Sequence, residues 1–252
     1  MRTFGQRKGF DNLTYFDDRK LHFGFYLGLN TMDYRITNYD EVTQNPVFVN
    51  DPTPEKNKIL SDAIALYGNK KTVRAEVYTI LPGFTVGGVI NYRLARDFDL
   101  RFTPGMSLGN RQFSYPEVTI PTTLLNGNSQ NNYLSTPSSY VDLPFGIRYK
   151  GFRHRNLRPY IYMGAAYRHD LENKRISENV VHLQKGGGYA ESGLGLDSYL
   201  EYFRFTVEFR FSYGLNNLIR HDTESATNSI PYYGYIFKKL NSNIFTLIFY
   251  FE

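Results

Sequence analysis

The sequence predicts an all-β fold, an eight-stranded antiparallel transmembrane up-and-down β-barrel with short periplasmic turns and long extracellular loops. Three observations carry that expectation. The stretch FRFTVEFRFSYGL at 203–215 places Phe203, Phe205, Val207, Phe209, Phe211, Tyr213 and Leu215 at odd positions and Arg204, Thr206, Glu208, Arg210 and Ser212 at even ones. Successive strand residues point to opposite faces, so one face is aromatic or aliphatic and the other carries full charges. Seven further stretches alternate in a similar way. The connections between them run long, short, long, short, long, short, long, which is the rhythm of a barrel with one rim of turns and one of loops.

Composition narrows the class. The 20 Phe, 22 Tyr and 21 Gly suit strands and turns. With no Cys there are neither disulfides nor thiolate metal sites. The 29 basic and 24 acidic side chains are scattered, so the net charge of +5 forms no basic patch and no nucleic-acid partner is expected. No window reaches the roughly 18 consecutive apolar residues of a membrane helix, but barrel strands carry their hydrophobicity at alternate positions, where average hydropathy misses it. The opening MRTFGQRKGFDNL has no apolar core, so a signal peptide is absent from the sequence shown and an exported protein is seen here in processed or engineered form.

Residues 1–20 lack a period and are expected to form an N-terminal periplasmic arm, mobile for the most part, ahead of an outer-membrane barrel domain at 21–252. In the first strand Leu21, Phe23, Phe25, Leu27 and Leu29 alternate with a face that includes Gly24 and Gly28, small residues suited to a narrow lumen. A long connection at 37–72 contains a helix signal: Thr53, Pro54 and Glu55 start it, Ile59, Leu60, Ala63, Ile64 and Tyr67 share a face, and Gly68 stops it. The second strand, about 73–94, has Phe84, Val86, Ile90 and Tyr92 in phase. After a short turn the third has Phe98, Leu100, Phe102, Met106 and Leu108, interrupted by Pro104, which implies a bulge or local distortion.

The polar stretch 116–137 reads as a loop, rich in Asn, Ser, Thr and Pro. The fourth strand carries Val141, Leu143, Phe145, Ile147 and Tyr149, and a basic turn, KGFRHRNLRP, leads to a fifth at about 160–168 whose sidedness is the least clear. A loop at 169–188 precedes the sixth strand, with Leu194, Leu196 and Leu200 in phase. A tight turn at 201–203 and a long loop at 216–241 then bracket the 203–215 stretch before a terminal strand, NIFTLIFYFE. Phe249 and Phe251 fit what barrel-assembly machinery reads in a last strand, although Glu252 follows them.

A soluble eight-stranded barrel turns an apolar face inward. Here the inward parity holds Asp99, Arg101, Asp142, Arg148, Asp197, Arg204, Glu208 and Arg210, and burying such a set unpaired in a dry core costs several kcal/mol per ion. Across a narrow lumen they neutralise one another. They are therefore expected to form a lumen charge network, with Phe203, Phe205, Val207, Phe209 and Phe211 as a lipid-facing stripe.

The strand words HFGFYLGLN (22–30), PGFTVGGVINYRLARDFDLRFTPGMSLGNR (82–111), YVDLPFGIRYK (140–150), RPYIYMGAAY (158–167), YLEYFRFTVEFRFSYGLNN (199–217) and SNIFTLIFYFE (242–252) together resemble the PorT family of Bacteroidota outer-membrane β-barrels. The PGF, FDLRFTPG and EYFRF stretches are its most specific part, and the loops at 37–53 and 169–185 match nothing in it. The resemblance implies a non-enzymatic role in the type IX secretion system, through protein partners in a secretion complex, in contact with outer-membrane lipid and lipopolysaccharide. It transfers no catalytic residue. A generic porin-like barrel that anchors the envelope, or adheres, is the alternative.

Candidate chemistry is thin. His22, His154, His169, His182 and His221 are widely spaced, so no metal is expected. The pairs His169–Asp170 and His221–Asp222 fall at the base of predicted outer loops, and with a Ser nearby they would be the place for an outer-membrane lipid-modifying enzyme, a second alternative. No nucleophile elbow accompanies them. The glycines at 186–188, 193 and 195 lack the Lys and Ser/Thr of a phosphate loop. No cofactor and no small-molecule substrate are expected, and eight strands leave an interior that side chains fill.

Overall fold

The computed structural model describes residues 12–118, 133–171, 181–220 and 232–252. Ten strand segments form one sheet: β1 (Leu21–Asn38), β2 (Glu76–Ile80), β3 (Pro82–Arg93), β4 (Phe98–Phe102), β5 (Gly105–Ser114), β6 (Tyr133–Lys150), β7 (Leu157–Asp170), β8 (Gly186–Tyr199), β9 (Arg204–Gly214) and β10 (Phe237–Phe251). The pairs β2/β3 and β4/β5 are each two halves of one stave, which leaves eight. Every pairing is antiparallel between neighbours in the chain, and β1 joins both β10 and β3, closing the ring. Closure removes the unpaired edges that an open sheet would present to the bilayer.

Pro104 does not bulge the third stave. Ile90 faces Phe102 and Gly87 faces Gly105, so the register runs through the interruption unchanged. The Pro104 carbonyl still accepts from the Gly88 N–H at 2.9 Å, and only the donor that proline lacks is missing from the ladder. The distortion sits instead on the second stave. Its register against β5 shifts between Val77 and Thr79, and again between Ile80, facing Arg111, and Phe84, facing Leu108, where it carries one more residue than the strand opposite.

Three predicted loops are shorter than expected, the one at 169–188 because β7 runs to Asp170 and β8 begins at Gly186. β6 begins at Tyr133 and carries Pro137 and Pro144 within it, because Asn110 and its neighbours on β5 supply a partner strand that the local Ser/Thr/Pro chemistry does not reveal. β10 begins at Phe237 rather than near 242, pairing with the upper part of β1. The fifth strand becomes clearly sided once the ring closes: Tyr160, Tyr162 and Ala166 are buried inside, while Ile161, Met163 and Tyr167 are exposed outside.

Above the long-loop rim stands a folded cap. Helix α1 (Pro46–Val49) is capped by Asn45, and helix α2 (Pro54–Leu66) by Thr53, whose hydroxyl accepts from the Lys56 N–H at 3.3 Å. Gly68 ends α2 with a positive φ of 68°, which a residue without Cβ adopts freely. Ile59, Ala63 and Tyr67 of this helix pack with Phe48, Phe113, Tyr115, Tyr233, Tyr235 and Phe237 in one apolar cluster that spans loop and upper-strand residues. It closes the outer mouth with a soluble-type core.

Where it is described, the arm makes specific contacts with the barrel. Residues 12–19 lie across the short-turn mouth: Phe16 stacks on His22 at 4.3 Å, Asp17 accepts from Tyr199 Oη at 2.8 Å, and Asn12 N–H donates to Asn156 at 2.8 Å.

Candidate functional site

The barrel interior is the first place to look for chemistry. An unbroken file of alternating charge climbs it: Asp99, Arg148, Asp197, Arg204, Glu252, Arg101, Glu208, Arg210, Glu191, Arg168 and Asp142. Arg204 pairs closely with Glu252; Arg148–Asp197, Arg210–Glu208 and Arg168–Glu191 are each 2.6 Å, and Arg101 lies 2.8 Å from Glu208 and 3.0 Å from Glu252. Each internal member touches two ions of opposite sign, so none is left as an isolated charge at low dielectric. The side chains of Arg101, Arg148, Asp197 and Glu208 are fully buried.

Strand alternation places these groups, and aromatic rings separate them. Arg148 lies 3.7 Å over Tyr160, Arg210 4.1 Å over Tyr162, Arg101 4.2 Å over Tyr250 and Arg168 4.4 Å over Tyr189. A guanidinium can donate at its edge while it stacks on its face, as Arg101 and Arg210 do, whereas Nε and Nη1 of Arg148 and of Arg168 are buried without a hydrogen-bond partner among the described residues. Tyr160 also donates to Glu208 at 2.5 Å. Glycine opposite makes room for its ring, since a Cβ on Gly195 would stand 2.1 Å from it. Higher in the lumen Arg111 is held by the hydroxyls of Tyr140, Ser138 and Ser242 and lies 4.6 Å over the Tyr34 ring.

At the lower mouth Arg158 bridges Asp17 at 3.2 Å and Asp97 at 3.1 Å, Lys150 holds Asp99 at 2.7 Å, and Phe16 lies 4.8 Å under Arg204. With this plug below and the apolar cap above, the lumen among the described residues binds charge to charge.

The residues expected inside, Asp99, Arg101, Asp142, Arg148, Asp197, Arg204, Glu208 and Arg210, all lie in the file. Sequence reasoning missed Glu191, Arg168 and Glu252, which join its parts. Their signal was the same parity carried further along each strand: Glu191 is in phase with Gly193, Gly195 and Asp197, Arg168 with Tyr160 and Tyr162, and Glu252 with Tyr250. Phe205, Val207, Phe209 and Phe211 point outward from β9, and Phe203 does so from the turn just before it. Phe209 faces Leu194 on one side and Leu247 on the other, and a shallow apolar groove of about 820 Å³ crosses the wall here, lined by Leu29, Ile161, Leu194, Phe209, Phe245 and Leu247.

The lipid-modifying-enzyme alternative loses one of its pairs. His169 and Asp170 are successive residues of β7, so the histidine is exposed outside while the carboxylate is buried inside. They do not converge. His221 and Asp222 lie outside the described residues. Among the described residues no cluster of His, Asp or Glu could hold a metal ion, and no helix is long and apolar enough to cross a membrane.

Comparison with known proteins follows the geometry. A family model described as outer membrane protein beta-barrel domain matches residues 4–220. The search of curated proteins found no match. Solved structures similar to this chain include the attachment invasion locus protein Ail of Yersinia pestis, in complex with the heparin analogue sucrose octasulfate, at 9% identity over 91% of this chain and 96% of that one, with a TM-score of 0.39. OprG from Pseudomonas aeruginosa matches at 12% identity over 91% and 92%, TM-score 0.40. The N-terminal β-barrel domain of Pseudomonas aeruginosa OprF matches at 14% over 90% and 97%, TM-score 0.31.

Proposed function

The chain belongs to the outer membrane protein β-barrel domain family and is an integral outer-membrane protein, and we propose that it serves the type IX protein secretion system as a non-enzymatic component, acting by contact with protein partners in translocon assembly or support. The observation that carries this reading is the filled lumen. With Arg101, Arg148, Asp197 and Glu208 fully buried in a continuous ion file, the interior is a scaffold, and function falls to the outer wall and the two rims. The pathway itself rests on the resemblance of the strand words to the PorT family. Outer-membrane lipid and lipopolysaccharide surround the wall in this reading, and no small molecule or nucleic acid is bound.

Deleting the gene and following secreted cargo tests the proposal. Loss of cargo from the medium, restored by the wild-type gene, is the expected outcome, and intact secretion would sink it. The generic porin-like barrel is the competing reading, favoured by a family description that names a domain and no pathway. Reproducible single-channel conductance in planar bilayers, together with intact secretion, would decide for it.

A further inference from the structure

The short-turn rim carries the most exposed large apolar side chains of the described residues: Phe152 at 95%, Tyr202 at 84% and Tyr15 at 80%. Basic residues surround them. Asp17 and Asp97 pair with Arg158 and Asp18 lies 3.6 Å from Arg93, while Arg19, Lys20, Arg96 and Arg155 stand exposed against the exposed acids Asp18 and Glu201, so the rim keeps an excess of basic charge. The turn that presents Phe152 is held in shape. His154 and Leu157 exchange backbone hydrogen bonds at 2.8 and 3.1 Å, Arg153 donates to the Arg155 carbonyl at 2.7 Å and lies 3.8 Å over Tyr199, and Arg155 adopts a positive φ of 54°. An aromatic side chain is thus displayed on an ordered turn.

Its height decides what it meets. Tyr149 and Phe98 lie 5.1 Å apart, their rings tilted, on the outer wall near its short-turn edge. Phe152 follows Tyr149 by three residues, so at about 3.3 Å per residue it lies within about 10 Å of that edge. The polar headgroup layer is roughly 5–8 Å deep on each side of the hydrocarbon. Aromatic rings and cations together are the side chains this layer accepts.

We propose that the short-turn rim is a lipid-binding surface that engages anionic phospholipid headgroups of the periplasmic leaflet, with Phe152 and Tyr202 inserted at the glycerol level and Lys20, Arg96 and Arg155 on the phosphates. This surface works independently of the secretion role. Phe152→Trp tests it directly, because the chain contains no other Trp. The full-length variant is reconstituted into phosphatidylcholine vesicles with or without phosphatidylglycerol, some carrying brominated acyl chains. The expected result is blue-shifted emission quenched by the bromolipid, with phosphatidylglycerol strengthening the quenching at least twofold. In a Lys20→Gln, Arg96→Gln, Arg155→Gln background, folded by heat-modifiable migration, that increment disappears.

Water-like, unquenched emission in both lipids overturns the proposal and points to a periplasmic protein on this rim. An increment that survives the charge substitutions overturns it as well, as does a shift that inorganic phosphate alone reproduces with phosphatidylcholine vesicles.

Discussion

Arg101 stands between Glu208 at 2.8 Å and Glu252 at 3.0 Å, so one guanidinium serves two carboxylates from different strands. The same sharing recurs along the lumen, and it makes the effect of charge removal depend on which pairs are removed together. Glu208→Gln leaves Arg101 with Glu252 and Arg210 with Glu191, at a cost of about 1.5–3 kcal/mol, the worth of charged hydrogen bonds. Glu252→Gln leaves Arg101 with Glu208 in the same way. The double variant strands Arg101 as a buried cation with no carboxylate, and it should lose about 1–3 kcal/mol beyond the sum of the singles. Urea unfolding midpoints in lipid vesicles measure this, and simple additivity would show that the file is not coupled.

Phe209→Arg and Arg210→Gln are adjacent substitutions on opposite faces. The first puts a cation on the outer wall, between Leu194 and Leu247, at about 2–4 kcal/mol near the bilayer midplane. The second removes a lumen cation whose partners Glu208 and Glu191 keep Arg101 and Arg168. Membrane assembly, scored by heat-modifiable migration of the outer-membrane fraction, should fail for the first and survive in the second. The opposite order would invert the topology.

The cap is a separate packing unit from the lumen. Ile59→Ala in α2 removes a side chain from the cluster with Phe48 and Tyr235 and should destabilise the cap by about 2–4 kcal/mol. Limited proteolysis should then cut within 40–75 while the barrel keeps its heat-modifiable migration. Unchanged cleavage would show that the helix does not hold the cap closed.

Alkali should loosen the same unit. Burial pushes the Tyr233 hydroxyl up to about 12 and raises Tyr67 well above the ordinary phenol range. Because the folded values lie above the unfolded one near 10, the cap's stability is fully present below pH 10 and is lost as pH rises toward 12. Phenolate absorbance should lag for these residues, and protease sensitivity of 40–75 should rise across that window. Ionisation of these residues with a midpoint near 10, the ordinary phenol value, without loosening would contradict their burial.

The alternation of Phe209 with Arg210 was legible in the sequence because the period of a strand is two and each residue reports its own face. The helix at 54–66 was legible from Thr53, Pro54 and Gly68 for a similar local reason. Pro137 misled, since its Ser/Thr/Pro surroundings spell a loop and only the partner strand β5 makes them part of a stave. Glu191, Arg168 and Glu252 were missed as links because pairing across a lumen depends on which strands face one another after closure. Residues 12–19 gave no periodic signal at all, and their place over the lower mouth comes from contacts with Tyr199 and Arg158, more than a hundred positions away.

By itself, then, the sequence determined an eight-stranded outer-membrane barrel, its inward and outward faces and the rims of turns and loops, since these follow from periodicity and spacing. The tertiary structure decided the order of ions along the lumen, the apolar cap over one mouth and the arm across the other. Those are contacts between residues distant in the chain, whose energies exist only once ring closure sets strand register and brings charge to charge and ring to ring.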